Sequence, residues 1–591
     1  MKYHQRIMLI GIVLSLLCSV YIIKLAIFQW FPNMHTRTVQ GQLSHNRNWR
    51  YDAVKQRQHS LILNDGRALY RAEHGEIINK LQVYKLLITP FVNENINIES
   101  ITQQLSSILN VSSKLIEKQL IGIGSPILLE DEQGQPVQLS QAQKELIEAK
   151  SWFGLIVLQM FEETEQSAHI HAIGFTAENP EILSSKYKDK LNELNNWTIS
   201  SKVGVMGLER SLDPWLHGVD TERVVWYEDV YGRMIKGLGV NYSGKHDYYP
   251  LTVQTTINLT QQHAIEQLVE QHAASHIAVV LVDIKTNDIK AMVSKPFLFP
   301  RKLEVESMKN LALTSHRPGS IYKLITLAAA IEFGVVDEDE MFFCNGEYGR
   351  FGLSCWKHGG HGKQTLMQAF SNSCNVAFAQ ISERLTAKQI HQTALALGGI
   401  EAVSWKNQNA KQSFSMFIEE EKGRAFIDPS TVDRGVIAQA SIGQRDALIN
   451  PLQAATMVAS IAREGMVLEA RVATQIEFAD GKPFKQFALQ RSTASPYKLK
   501  ARTYTILQRY MEEVVQSGTG QLLKQAKVQV AGKSGTAQLD SNQHAANHYW
   551  FVGYFPASKP QYALAVTILN EKQATNPATA LFKDIVNVIY E

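Results

Sequence analysis

The stretch Pro318-Gly-Ser-Ile-Tyr-Lys-Leu-Ile-Thr-Leu-Ala-Ala-Ala-Ile-Glu332 reads as a helix with its chemistry at one end. Pro and Gly precede an apolar run and Gly334 follows it, which are start and stop signals. Ser320 therefore falls at a helix N-terminus, where the dipole favours developing negative charge. Lys323 lies three residues on, over the same face, within reach of the serine oxygen. A hydroxyl becomes a useful nucleophile when an adjacent base takes its proton, and a desolvated lysine can be that base. A plain serine cap beside a solvated lysine would look the same. A bare Ser-x-x-Lys is expected about two or three times by chance in a chain this long.

Two further motifs follow in order, and the ordered set is far harder to obtain by accident. Ser371-Asn-Ser-Cys-Asn375 leads into the apolar run Val376 to Ile381. There Ser373 is placed to pass a proton to a leaving amine and Asn375 to orient a substrate amide. Val528-Gln-Val-Ala-Gly-Lys-Ser-Gly-Thr-Ala537 reads as a strand edge, with Gly535 allowing close backbone approach. Lys533, Ser534, Gly535 and Thr536 would hold a substrate carboxylate, and the backbone N–H groups of Ser320 and Thr536 would make an oxyanion hole. The trio describes an active-site serine enzyme acting on a peptide with a free carboxylate.

Around the trio the pattern is α/β. Ile277 to Asp283 and Ile289 to Ser294 are apolar runs joined by a polar turn, a strand–turn–strand signal. Val528 to Ala531, Tyr549 to Phe555 and Tyr562 to Leu569 are three more strand candidates, and Ala578 to Tyr590 is a closing amphipathic helix. Two early strands and three late ones give a five-stranded antiparallel sheet flanked by helices. The helical middle forms a second lobe, and the motifs meet at the junction, where a concave site is expected. Residues 33–250 show no catalytic constellation and read as a spacer or docking domain. Within it, Ile101 to Leu120 and Ser140 to Leu155 have helical apolar spacing.

The N-terminus, Met1-Lys-Tyr-His-Gln-Arg6, precedes an uncharged apolar run from Ile7 to Ile23, a second patch to Phe28, and then Trp30 and Phe31. That is long enough to span a bilayer. Basic residues before it and aromatics after it put the N-terminus in the cytoplasm and the rest outside. A cleaved signal peptide competes, but no small-x-small cleavage site follows. The division expected is therefore a stub and anchor over 1–32, a pedestal over 33–250 and a catalytic domain over 251–591. A net charge of +3 in 591 residues, with no long basic run, offers nothing to a nucleic acid.

These residues resemble the penicillin-binding transpeptidases, for which this motif set is characteristic. Gly207-Leu-Glu209, Asn310-Leu-Ala312 before His316-Arg-Pro-Gly-Ser320, Pro451-Leu-Gln453, Gly518-Thr-Gly520 and His548-Tyr-Trp-Phe-Val-Gly553 look like further landmarks. The resemblance implies a penicillin-binding, β-lactamase-like fold: a sheet-plus-helical-lobe transpeptidase domain on an elongated pedestal. It implies peptidoglycan stem peptides ending in D-alanyl-D-alanine as substrates and β-lactams as acylating mimics. No Glu-Asp-x-x-Phe glycosyltransferase signature precedes the pedestal, so the monofunctional class B branch fits, closest to its elongation-type members. A polytopic membrane glycan polymerase is the implied partner. The Arg-Gly motif that usually opens the pedestal is present only as Val54-Lys-Gln-Arg57 and Asp65-Gly-Arg67. A D,D-carboxypeptidase or β-lactamase is the alternative enzyme, and a β-lactam sensor or non-catalytic scaffold the alternative class.

Cys344, Cys355 and Cys374 cluster near His358 and His361, and only Cys18 lies elsewhere. Three thiols cannot all pair, whereas three thiolates and an imidazole make a Cys₃His site suited to structural zinc. Some elongation-type class B members carry a metal beside the Ser-x-Asn motif, and Cys344, Cys355, His361 and Cys374 look like that arrangement. A Cys344–Cys355 disulfide, free buried thiols and His358 as fourth ligand remain open here.

Overall fold

The apolar runs that open and close the catalytic region pair with one another. In the computed structural model β1 (Ile277–Asp283) and β2 (Ile289–Lys295) form an antiparallel hairpin. Three late strands complete the sheet: β5 (Ala531–Gln538), β6 (Asn547–Phe555) and β7 (Tyr562–Glu571). The order is β2-β1-β7-β6-β5, antiparallel throughout, so the last strand in sequence sits at the centre against β1. Between them β3 (Met341–Cys344) and β4 (Gly362–Thr365) make a separate hairpin. The structure describes residues 58–591 except 96, 164–169, 189–200, 219, 300–303, 408–413, 540–545 and 574. The expected membrane span lies outside these residues. Among the described residues no helix is long and apolar enough to cross a membrane.

Alternation along the strands divides the core into two layers, because successive side chains point to opposite faces. Ile277, Val279 and Leu281 pack with α1 (Leu259–Gln271) and with a C-terminal helix, Pro577–Ile589, through Ile265, Val269, Phe582 and Val586. Ala278, Val280 and Val282 face the helical lobe. In that lobe, α2 (Lys323–Glu332) is buried almost all round, as expected of a helix with no polar face. Around it lie α3 (Leu366–Ser371), α4 (Asn375–Ser382), α5 (Arg434–Ser441) and α6 (Ala501–Gln516).

Three boundaries differ from the sequence expectation, each for a local reason. The strand expected at Val528 to Ala531 is instead Ala531–Gln538, so the Lys-Ser-Gly-Thr motif is itself in the ladder. Pairing of Lys533 with Val552 and Gly535 with Trp550 on an aromatic strand overrides the poor strand propensity of Lys533 and Gly535. Ile101 to Leu120 is two helices, Ile98–Leu109 and Ser113–Leu120, because Asn110 takes a left-handed conformation and ends the first. The helix begun at the Ser140 capping box stops at Lys150, and Leu155–Glu163 is a strand.

The chain forms two compact units and crosses between them more than once. One contains residues 83–160 and 222–244 with the described residues up to Leu63; the other contains 64–82, 161–221 and 245–591. The first is built on residues 83–88 of the strand Lys80–Ile88 with short helices, and its core joins Leu86, Ile88, Leu105, Ile116 and Ile147. In the second, Arg67 is buried and donates to Glu209 Oε2 at 2.6 Å and Asp213 Oδ1 at 2.9 Å. Tyr187 also donates to Asp213. The two weak landmarks Asp65-Gly-Arg67 and Gly207-Leu-Glu209 are thus one buried ionic network. Losing one partner of such a network strands a buried charge, at a cost of about 3–5 kcal/mol.

Candidate active site

Ser320 sits in a 3₁₀ turn, Gly319–Tyr322, that runs directly into α2. The turn is clamped backbone to backbone. Gly319 has φ +55°, and a Cβ there would lie 2.3 Å from Thr536 O on β5. On the other side Gly319 N donates to Gly443 O at 2.9 Å, and a Cβ on Gly443 would meet Gly319 O at 1.9 Å. Gly535 is closed in the same way by Pro318 O, 2.6 Å from its Cβ position. Only glycine permits these approaches. They bring the first and third motifs into register across the edge of the sheet.

The second motif supplies the side chain between them. Ser373 has φ +55°, an uncommon conformation for a residue with a side chain, and it is buried. Its hydroxyl accepts from Lys533 Nζ at 3.0 Å and from Lys323 Nζ at 3.4 Å. Lys323 Nζ also donates to Ser373 O at 2.8 Å and Asn375 Oδ1 at 2.7 Å. Lys533 Nζ donates to Ser534 O at 2.9 Å. Both lysines are fully buried, with Nζ over the rings of Phe378 and Phe370 respectively. Burial lowers Lys323 from the usual lysine range to about 8. Burial, and then the neighbouring Lys323 charge, push Lys533 well below that range. Two ammonium groups do not share one dry hydroxyl at low cost, so the site favours at least one neutral amine.

All eight predicted catalytic and substrate residues lie on the elements that converge here, but one expected contact is replaced. Among the described residues nothing hydrogen-bonds Ser320 Oγ; Lys323 is drawn instead to Ser373 and Asn375. Of its three bonds, the 3.4 Å one to Ser373 Oγ is the longest. No carboxylate hydrogen-bonds Ser320, Lys323, Ser373 or Asn375 among the described residues. His316 and His548 pack edge to face nearby, and burial, followed by neighbouring positive charge, holds them down at about 3 and about 4. Neither is placed as a base. Sequence reasoning gave no role to Thr519, whose hydroxyl lies 2.6 Å from Ser534 Oγ. Gly518, pressed against Ser371 O, holds that loop to the second motif.

The cysteines gather on the far side of Ser373. Ligand atoms of Cys344, Cys355, His361 and Cys374 all lie within 4.8 Å of one another. Cys355 Sγ is 3.3 Å from His361 Nδ1 and 4.0 Å from Cys374 Sγ, and all three sulfurs are free thiols. The second ring nitrogen, His361 Nε2, is buried without a partner, whereas His358 is exposed and outside the group. The Cys374 thiol, with the backbone N–H groups of Lys357 and Asn375, favours the thiolate of Cys355. A tetrahedron with zinc–sulfur arms of about 2.3 Å has edges near 3.8 Å, so this donor set fits zinc in both kind and spacing.

Residues 277–587 match the family described as the penicillin-binding protein transpeptidase domain. The chain belongs to that family, on its class B branch. It is 27% identical over 384 residues to stage V sporulation protein D of Bacillus subtilis, covering 62% of this chain and 57% of that one. It is 24% identical over 463 residues to peptidoglycan D,D-transpeptidase MrdA of Acinetobacter baumannii, covering 69% and 63%. With peptidoglycan D,D-transpeptidase PbpA of Mycobacterium tuberculosis it shares 27% over 406 residues, covering 63% and 76%. The chain thus spans about three-fifths of the length of the first curated relatives it matches. A solved chain from work on the coordination of polymerization and crosslinking by a peptidoglycan synthase complex superposes with a TM-score of 0.65 at 18% identity, over 99% of this chain and 98% of that one. That likeness is one of fold.

Proposed function

We propose that this protein is a membrane-anchored serine D,D-transpeptidase that cross-links peptidoglycan stem peptides and is acylated by β-lactams. The observation that carries the reading is the placing of Ser373 Oγ between Lys323 and Lys533, beside the clamped Ser320 turn. The terminal carboxylate of the donor peptide docks on Lys533, Ser534 and Thr536. Its charge favours the ammonium form of Lys533, which burial alone disfavours. Lys323, as the free amine, takes the Ser320 proton while Oγ attacks the penultimate D-alanine carbonyl. The oxyanion is met by the backbone N–H groups of Ser320 and Thr536. Ser373 delivers a proton to the departing D-alanine as the C–N bond breaks and takes one in turn from the Lys323 ammonium, which returns to the free amine. The amine of a second stem peptide then attacks the ester and releases Ser320.

Among the described residues no carboxylate bonds the catalytic set, so Lys323 is the base for either acceptor, and the products decide between cross-linking and hydrolysis. Incubation with a D-alanyl-D-alanine stem peptide and an amine acceptor should give cross-linked product with release of D-alanine. Hydrolysed donor with no cross-linked product would make the protein a carboxypeptidase instead. The apolar run at residues 7–28 supports a single-pass anchor with the catalytic domain outside the cytoplasm. The fold match to a synthase-complex chain supports a polytopic membrane glycan polymerase as partner.

The reading includes structural zinc on Cys344, Cys355, His361 and Cys374. Bound there, zinc would neutralise the thiolates and tie the β3–β4 loop to the second motif, and no catalytic step passes through it. Purified protein should hold one zinc per chain, lost in Cys374→Ser together with several degrees of melting temperature. A metal-free protein with a mapped Cys344–Cys355 disulfide would refute this part.

A further inference from the structure

The loop between β3 and β4 grips the second motif at three successive points. Ser354 O accepts from Asn375 Nδ2 at 3.1 Å. Cys355 Sγ faces Cys374 Sγ at 4.0 Å. Trp356 Nε1 donates to Asn372 O at 3.1 Å. Three consecutive residues thus hold both ends and the middle of the Asn372–Asn375 turn. Within that turn Ser373 is in the left-handed region, which a residue with a side chain rarely adopts and which needs support from outside.

The consequence for chemistry runs through two atoms. With Nδ2 engaged by Ser354 O, the Asn375 amide must turn Oδ1 inward, and it is Oδ1 that accepts from Lys323. With Asn372 O fixed by the indole, the following peptide is oriented, and it carries the Ser373 hydroxyl to the two lysines. Trp356 is an odd residue for a mere loop: its side chain is large and apolar, yet the residue is 62% exposed. Its ring is nonetheless held, edge to face against His361 with centroids 5.4 Å apart. An exposed tryptophan locked in one orientation by its own N–H is placed for what that N–H does.

We infer that Trp356 is a positioning residue, which with Ser354 O straps the Ser373 turn into the strained form that aims its hydroxyl between Lys323 and Lys533. The inference rests on the acyl-enzyme reading above for its effect on rate, but not for the strap itself. It is separate from the metal, since the strap consists of hydrogen bonds on either side of Cys355.

The test is Trp356→Phe in the full chain, which keeps an aromatic ring against His361 and removes only the donor. Acylation by a fluorescent penicillin is read as a rate at saturation and a binding constant, alongside zinc content and amide hydrogen exchange. Loss of one neutral hydrogen bond predicts about a fivefold slower acylation at saturation, with the binding constant and zinc content unchanged. The Ser373 and Cys374 amides, which donate to Phe370 O and Ala369 O, should exchange about fivefold faster. Trp356→Ala, losing the ring as well, should be slower still. Parent-like acylation and exchange in Trp356→Phe would overturn the strap, as would a rate loss that only tracks lost zinc. If the parent takes no penicillin at all, the acyl-enzyme reading fails, while the exchange of the two amides still decides the strap.

Discussion

Replacing Lys323 with methionine should slow β-lactam acylation by about three orders of magnitude at pH 8, within the range of a lost general base. Methionine keeps the buried stem against Phe378 and removes only the amine, so the fold should survive and the parent circular dichroism spectrum be retained. The same assignment fixes a pH profile. The active form is the free amine, and burial brings its pKa down to about 8. The parent's acylation rate should therefore climb about tenfold per pH unit below that value and level off above it. A Lys323→Met protein that still acylates slowly should have lost that rise. A parent profile flat from pH 6 to 9 would remove Lys323 from the role of base.

Gly319→Ala is expected to be nearly as damaging, for a different reason. The added Cβ would stand 2.3 Å from Thr536 O, which is backbone and cannot rotate away, at a position with φ +55°. Either β5 or the Ser320 turn must shift by about an ångström, and a misplacement of that size costs around 100-fold in rate. Stability should fall too, by about 1–3 kcal/mol from overpacking and strain. Gly334→Ala is the control. It has φ +63° at the end of the same helix with nothing within 4 Å, so it carries the conformational cost alone, about 1 kcal/mol, with acylation preserved. Equal effects of the two substitutions, in acylation rate and melting temperature, would show that the clamp between Gly319 and Thr536 is not what positions the serine.

The contrast between these two glycines shows what a sequence can carry. Gly334 was readable as a helix stop because its role is local. Gly319 was readable as a helix entry, but its contact with Thr536 joins residues more than two hundred positions apart and leaves no periodic trace. The sheet was legible because β1, β6 and β7 are apolar or aromatic runs. The start of β5 was misplaced, since Lys533 and Gly535 are held in the ladder by their neighbour rather than by their own propensity. That Ser320, Lys323, Ser373, Asn375 and Lys533 to Thr536 belong together was legible from the motifs, and the structure brings them to one place. Thr519 stood out only as part of a landmark without a role, and Gly443, Ser354 and Trp356 did not stand out at all, because their contacts are with backbone atoms or a hydroxyl of other segments. The cysteines could be grouped by proximity in sequence, but the choice of His361 over His358 needed the fold of the β3–β4 loop. Nor could spacing show that the Gly207-Leu-Glu209 landmark closes on Arg67, since the buried network is built from pieces that straddle another unit.

The central claim, that Ser320 is the acylated nucleophile, has one direct measurement. Full-length protein is incubated with benzylpenicillin, digested, and the modified peptide sequenced by mass spectrometry. A single penicilloyl group on Ser320, persistent on the time of the digest and absent from Ser320→Ala, is the predicted result. Label on another residue, or no adduct on a folded protein, would contradict it.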